Sequence, residues 1–158
     1  MLKKILKNER GLTLIELLAV IVIIGIIAAI AVPSIGNIIE NSRRDAHVAN
    51  ARMLIDATKM RITTNQLGTT DDDRKFTLAE LRDWGLIQDI RVPGDNGSYD
   101  GEDSFVRVER DADNNILTYH VTLAAAGSAE PFIDNVELQE LTRAVVDLDR
   151  NGTPDNAQ

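Results

Sequence analysis

The sequence contains no cysteine. That excludes disulfide scaffolds, thiolate nucleophiles, zinc–cysteine sites and iron–sulfur clusters in one step. His47 and His120 are the only histidines, so a multi-histidine metal centre is excluded as well. Aromatic residues make up 4% of the 158, too few for a base-stacking platform. The formal net charge of −8 disfavours a phosphate-tracking surface, and no direct nucleic-acid binding is expected. No G-x-S-x-G, phosphate loop or paired-histidine motif occurs, so the expectation is that the protein is not an enzyme. What the chain does have is apolar material: 44% of it is hydrophobic, enough for a core and too much for a wholly disordered chain. At this length the prior is one compact domain with at most an appendage.

The average composition hides a sharp asymmetry. Residues 1–11, MLKKILKNERG, set Lys3, Lys4, Lys7 and Arg10 against Glu9, a net charge of +3, which leaves −11 on the remainder. Next comes LTLIELLAVIVIIGIIAAIAV, Leu12 to Val32, with one charge, Glu16, and one other polar side chain, Thr13. As a helix this run spans roughly 31 Å, about the thickness of a bilayer's hydrocarbon core. A secretory signal peptide would explain the basic start, with Ala29-Ile30-Ala31 as its cleavage site, but its apolar stretch would be unusually long. A plain membrane anchor explains length and flank through the positive-inside rule. Neither explains Glu16, since a carboxylate inside a spanning helix costs about 2.5–3.5 kcal/mol and usually has a partner.

A lysine-rich leader, Gly11, then Leu12-Thr13-Leu14-Ile15-Glu16 and a long apolar run resembles the N-terminus of type IV pilin-like proteins. These are the pilins, type II secretion pseudopilins and competence pilins. The resemblance extends to Gly25 and Pro33-Ser34 and covers residues 1 to about 55. It implies cleavage by prepilin peptidase after Gly11, N-methylation of Leu12, and a glutamate five residues after the cut, which is Glu16. The family usually has phenylalanine where this chain has Leu12. It also implies partners: the peptidase, an inner-membrane assembly platform, the membrane, and copies of this chain or other pilin-like subunits. The location implied is a single-pass membrane precursor, then an extracellular surface fibre. The alternative is a membrane-anchored extracellular binding or sensor domain that never polymerises.

The chemistry of Glu16 follows independently. Cleavage creates an amine at Leu12 that is charged near neutral pH. In an apolar fibre core, Glu16 of one subunit is satisfied only opposite such an amine on a neighbour, so the pair selects axial register.

Past Val32 the pattern becomes one-sided. Ile35, Ile38, Ile39, Ser42, Ala46, Ala49, Met53, Ala57 and Met60 recur at helical spacing, with Arg43, Arg44, Asp45, Arg52, Lys59 and Arg61 mostly off that stripe. One helix is expected from Thr13 to about Thr63, its second half packed on the globular part. Pro33 removes a hydrogen bond inside it, and the resemblance implies that the helix around it can melt in a fibre, which makes Gly25 to Pro33 a candidate extensible segment. The domain plan is therefore a leader at 1–11, a transmembrane or fibre-core half at 12–32, an amphipathic half at 33–64 and a globular head at 65–158.

Within the head, residues 65–75 read as a loop. Thr77 and Glu80 form a capping-box pattern for a short helix with Leu78, Leu81 and Trp84 on one side and Gly85 as its stop. Residues 93–104, PGDNGSYDGEDS, read as a second loop, whose Asp95, Asp100, Glu102 and Asp103 lack metal-ligand spacing. Ser104–Arg110 and Ile116–Leu123 read as strands, with Leu117, Tyr119, Val121 and Leu123 on one face and His120 on the other. Asp134 could cap a helix to about Val146 with Leu138, Leu141 and Val145 inward; a third strand within 132–147 is the alternative. The fold class is α+β, a long helix packed on a small antiparallel sheet. In the tail, Asp147, Asp149, Asn151 and Asp155 with Gly152 match the spacing of a calcium loop, though position twelve is Gln158 rather than glutamate. No cofactor is required on this reading; calcium is the one candidate.

Overall fold

The computed structural model describes residues 9–65, 73–110 and 116–154, without the side chains of 9–12, 65 and 73. Two compact units divide between Glu40 and Asn41. A single long helix, α1 (Glu9–Asn65), begins in the first and ends in the second. Its helical assignment continues through Pro33, and it extends two residues past the expected end. Thr63 and Thr64 lie in its last turn, each hydroxyl donating to a carbonyl one turn back, Lys59 and Met60, at 2.9 Å.

In the first unit every large apolar side chain from Leu14 to Ile39 is exposed, by 47% to 71%. Nothing lies within 4 Å of where a side chain on Gly25 or Gly36 would begin. The helix here is long and apolar enough to cross a membrane, and none of its apolar window is buried.

The second unit holds a four-stranded antiparallel sheet in sequence order: β1 (Asp73–Thr77), β2 (Phe105–Arg110), β3 (Leu117–Leu123) and β4 (Ile133–Glu137). A short helix, α2 (Leu78–Asp83), follows β1 directly. Its capping box is complete: the Glu80 N–H donates to Thr77 Oγ1 at 3.2 Å, and the Thr77 N–H donates to Glu80 Oε2 at 3.0 Å. Gly85 stops it with φ of +70°, the left-handed conformation glycine adopts without penalty. Val106 and Val108 of β2 and Val121 and Leu123 of β3 are buried, but the alternation expected of β3 is only partial, since Thr122 is buried too and Leu117 and Tyr119 are half-buried. With Leu54 and Ile55 of α1 and Phe76, Leu81, Ile133, Leu141 and Val146 they form one hydrophobic cluster.

Three expectations are corrected. First, residues 73–75 are not loop but the start of β1, which pairs Lys75 with Arg107 and Phe76 with Val106. Charged Arg74 and Lys75 hid an edge strand whose apolar anchor is Phe76. Second, the proposed helix from Asp134 to Val146 is absent. Ile133–Glu137 is β4, and only a 3₁₀ turn, Arg143–Val145, follows. Pairing with β3 supplies partners for an otherwise bare sheet edge and places Val136 opposite Val121. The segment beyond is strapped to α1 by Arg52, which donates to the Leu141 carbonyl at 3.2 Å, and by Arg143, 2.9 Å from Asp45.

Third, of the expected stripe on α1 only Ala57 joins the core cluster, and the packing is mainly through another face. Ala49, Met53 and Met60 are exposed, whereas His47, Val48, Ala51, Leu54, Ile55 and Thr58 are buried, as is Arg44. At about 100° per residue the two faces lie roughly half a turn apart. The buried face carries the branched side chains of Val48, Leu54 and Ile55, which remove more apolar area from water than Ser42, Ala46 and Ala49 of the stripe could.

Candidate functional site

The expected processing junction, Gly11–Leu12, lies in the first turn of α1, and its side chains fall outside the description. Glu16 follows Leu12 by four residues, so the two share one helix face. Glu16 is exposed, and it is the sole charge between Arg10 and Glu40. In a chain beginning at Leu12 it would stand near the helix N-terminus, where a carboxylate interacts favourably with the unpaired N–H groups. Gly25 and Pro33 sit within the same uncovered helix. The structure therefore puts Glu16, Gly25 and Pro33 on one helix whose large apolar side chains, among the described residues, are exposed from Leu14 to Ile39.

The tail loop is held by its own hydrogen bonds. Asp147 is buried, and its carboxylate accepts the N–H groups of Arg150 at 2.7 Å and Gly152 at 2.9 Å. Asn151 donates to Asp149 at 2.9 Å and accepts from the N–H and the hydroxyl of Thr153. Positive φ at Arg150 and Gly152 lets the chain turn about Asp147. Asp155, the fourth candidate calcium ligand, lies outside the described residues. Among the described residues no group of three His, Asp or Glu side chains is placed to hold a metal.

His120 lies on the outer face of β3, as its alternation predicts, but is more covered than expected. Its side chain is 20% exposed, with Nε2 3.8 Å from Glu109 across the β2–β3 ladder. His47, which carries no expected role, is the more constrained histidine. It is fully buried on α1 against the Phe132 ring, with centroids 4.2 Å apart. Its Nδ1 lies 2.7 Å from the Tyr99 hydroxyl, which also accepts from Asn50 at 3.2 Å. Among the described residues, Nε2 has no hydrogen-bond partner. Burial lowers the His47 pKa from 6.5 to about 4 and raises that of Tyr99 well above its usual range. The cluster is thus neutral at physiological pH. Its position on the face of Ala51 and Leu54 was the one available sequence signal; its partner Tyr99 is 52 residues away.

Comparison with known proteins bears on the N-terminal part. Residues 6–32 match the family model described as the prokaryotic N-terminal methylation motif. The chain is 45% identical over 73 residues to the fimbrial protein of Moraxella nonliquefaciens, an alignment covering 46% of this chain and 45% of that protein. The chain thus spans less than half the length of this curated relative. No solved structure matches the chain. The motif and the relative together support assignment of the chain to the type IV pilin-like family.

Proposed function

We propose that this chain is the precursor of a structural subunit of a type IV pilus-like fibre. The observation that carries the reading is an uncovered apolar helix with a single internal charge, Glu16, inside the methylation motif. Such a helix needs either lipid or other helices around it, and a fibre subunit uses both in turn. In the membrane the precursor spans once, with its lysine-rich end on the cytoplasmic side. Prepilin peptidase then cuts after Gly11 and the new Leu12 amine is methylated. An assembly platform passes the helix from lipid into a bundle of copies of itself or of other pilin-like subunits. Exposed Ala49, Met53 and Met60 continue an apolar strip along the side of α1 turned away from the head core, which suits helix neighbours in such a bundle. The fibre is a surface pilus, a competence pilus for DNA uptake or a type II secretion pseudopilus, three assemblies that share this N-terminus. On this reading the subunit is a substrate of processing enzymes and has no catalytic role of its own.

Mass spectrometry of the mature protein tests the first step. The expected product begins at Leu12 and carries an N-methyl group. A mature chain beginning at Val32 would establish a signal peptide instead. An intact N-terminus would leave a plain anchor carrying a binding or sensor domain.

Calcium in the tail loop is a separate proposal, with Asp147, Asp149, Asn151 and Asp155 as ligands. Calcium at a hundredfold excess over its dissociation constant should then stabilise the native chain by about 2.7 kcal/mol. Asp149→Ala should remove the rise in melting temperature, and magnesium should give much less of it. An unchanged melting temperature in millimolar calcium would overturn the proposal.

A further inference from the structure

The sequence has two Asn-Gly steps, Asn96–Gly97 and Asn151–Gly152, and the structure treats them oppositely. We propose that Asn96–Gly97 is a self-modifying site that converts spontaneously to an aspartyl and isoaspartyl mixture, while Asn151–Gly152 is protected by its fold. The reaction needs only water. The Gly97 backbone nitrogen attacks Cγ of Asn96 and gives up its proton to solvent. The new N–Cγ bond closes a five-membered succinimide, and the Cγ–Nδ2 bond breaks as the departing nitrogen takes up a proton and leaves as ammonia. Water then opens the ring at either carbonyl, restoring a normal aspartyl linkage or leaving an isoaspartyl one.

Attack requires a nucleophilic N–H that is not held elsewhere, a side chain free to rotate, and no bulk on the following residue. Asn96 and Gly97 are both exposed. They close a turn in which Val92 N–H donates to the Gly97 carbonyl at 3.1 Å and Asp95 N–H to the Val92 carbonyl at 3.2 Å. The backbone N–H of Asn96 is held by the Asp95 carboxylate at 2.7 Å. Among the described residues, no hydrogen bond engages the Asn96 carboxamide or the Gly97 N–H. Beside the position of a Cβ on Gly97, the nearest atom is Asp95 Oδ2 at 3.8 Å, ordinary contact. Glycine permits the backbone angles of a cyclic imide that a side chain would resist.

At the second step the following residue is again glycine, but the first two conditions fail. The Gly152 N–H donates to buried Asp147 at 2.9 Å, so the attacking nitrogen is occupied. The Asn151 carboxamide is fixed at both ends, donating to Asp149 and accepting from Thr153. Ring closure there would first break these bonds. The third related step, Asp100–Gly101, starts from a carboxylate that accepts from Glu102 and Asp103 at 2.8 and 3.0 Å, a poorer electrophile already held in place.

The consequence is local and chemical. Each event adds a negative charge beside Asp95, and the isoaspartyl product inserts a methylene into the backbone of a tight turn. That turn adjoins the Arg91–Ser98 bridge, and the Arg91 carbonyl accepts from Asn50, which also holds the Tyr99 hydroxyl.

The test incubates the full chain in detergent at mildly alkaline pH, beside two synthetic peptides covering 92–100 and 147–154. Mass spectrometry with fragmentation reads the amide-to-acid mass gain, and an isoaspartate-specific methyltransferase reads the branched product. Both peptides should convert. In the folded chain the gain should appear at Asn96 and be lost in Asn96→Gln, with none at Asn151 until the chain is denatured. Conversion at Asn151 as fast as at Asn96 in the folded chain would overturn the protection. A folded chain that leaves Asn96 intact while the 92–100 peptide converts would overturn the site.

Discussion

Glu16→Ala is expected to abolish fibre assembly while leaving the precursor inserted, cut and methylated. Removing a charge from an apolar helix makes insertion easier, by up to about 2.5–3.5 kcal/mol if the charge lies at membrane depth. On the proposed reading cleavage needs Gly11, so it should persist. What disappears is the sole charge between Arg10 and Glu40, and with it the group that distinguishes one axial position of a neighbour from the next. The remaining side chains of the helix, mostly Leu, Ile, Val and Ala, pack about equally well after a slip of one turn; an ion pair in low dielectric does not. Glu16→Gln is the sharper variant, because it keeps the shape and removes only the charge; it too should fail to assemble. The measurements are the N-terminal mass of the membrane-bound protein and the yield of fibres sheared from cells. The hydrophobic core cluster has no member before Val48, so thermal melting of the head should be unaltered, a control for folding. Normal fibres from Glu16→Ala cells would sink the pairing argument, and with it the reason given for a carboxylate at this position.

Residue type carried much of this protein's organisation. The apolar run needs no tertiary information, because hydropathy alone defines it. The capping box at Thr77 and Glu80 is local and legible without tertiary information too. The elements misread are those that tertiary pairing decides. In β4 the spacing of Leu138, Leu141 and Val145 imitates a helix face, yet the free edge of β3 recruits Ile133–Glu137 as a strand. In β1 a charged edge strand presents Phe76 as its buried anchor, too little for an alternation to show. The rotation of the α1 face has a different origin. The apolar stripe of the first unit continues smoothly through Ala46, Ala49 and Met53, and the sequence alone does not mark that the head is built against the other side. Arg44 made that side look polar, although it is buried and donates to Asn41 at 3.3 Å. The His47 cluster was illegible because Tyr99 and Phe132 reach it from distant loops.

That cluster predicts an acid-sensitive head. His47 is neutral when folded and ionises at about 4, against 6.5 when exposed. The unfolded chain therefore binds a proton that the folded chain refuses. The stability this withholding provides is complete above pH 6.5 and is lost as pH falls toward 4, on the order of 3 kcal/mol across the window. The groups facing the ring offer no compensation: the Tyr99 hydroxyl is neutral, Phe132 is apolar, and Asn50 on its own helix carries no charge. With Nδ1 accepting from the Tyr99 hydroxyl, the neutral ring carries its proton on Nε2, so protonation would put a new donor on Nδ1 against a hydroxyl that needs an acceptor. Asp100 acts in a different window. Hydrogen bonds from Asp103 and Glu102 lower its pKa from 3.8, so its contribution is lost only below that value. Thermal melting of the full chain in detergent should therefore fall steadily from pH 6.5 toward 4. His47→Phe should flatten that slope, while costing about 1–3 kcal/mol at neutral pH because the Tyr99 hydroxyl loses its acceptor in the core. A wild-type melting temperature that stays level across this window, or a His47→Phe chain that keeps the full slope, would mean that the buried ring is not what limits the head in acid.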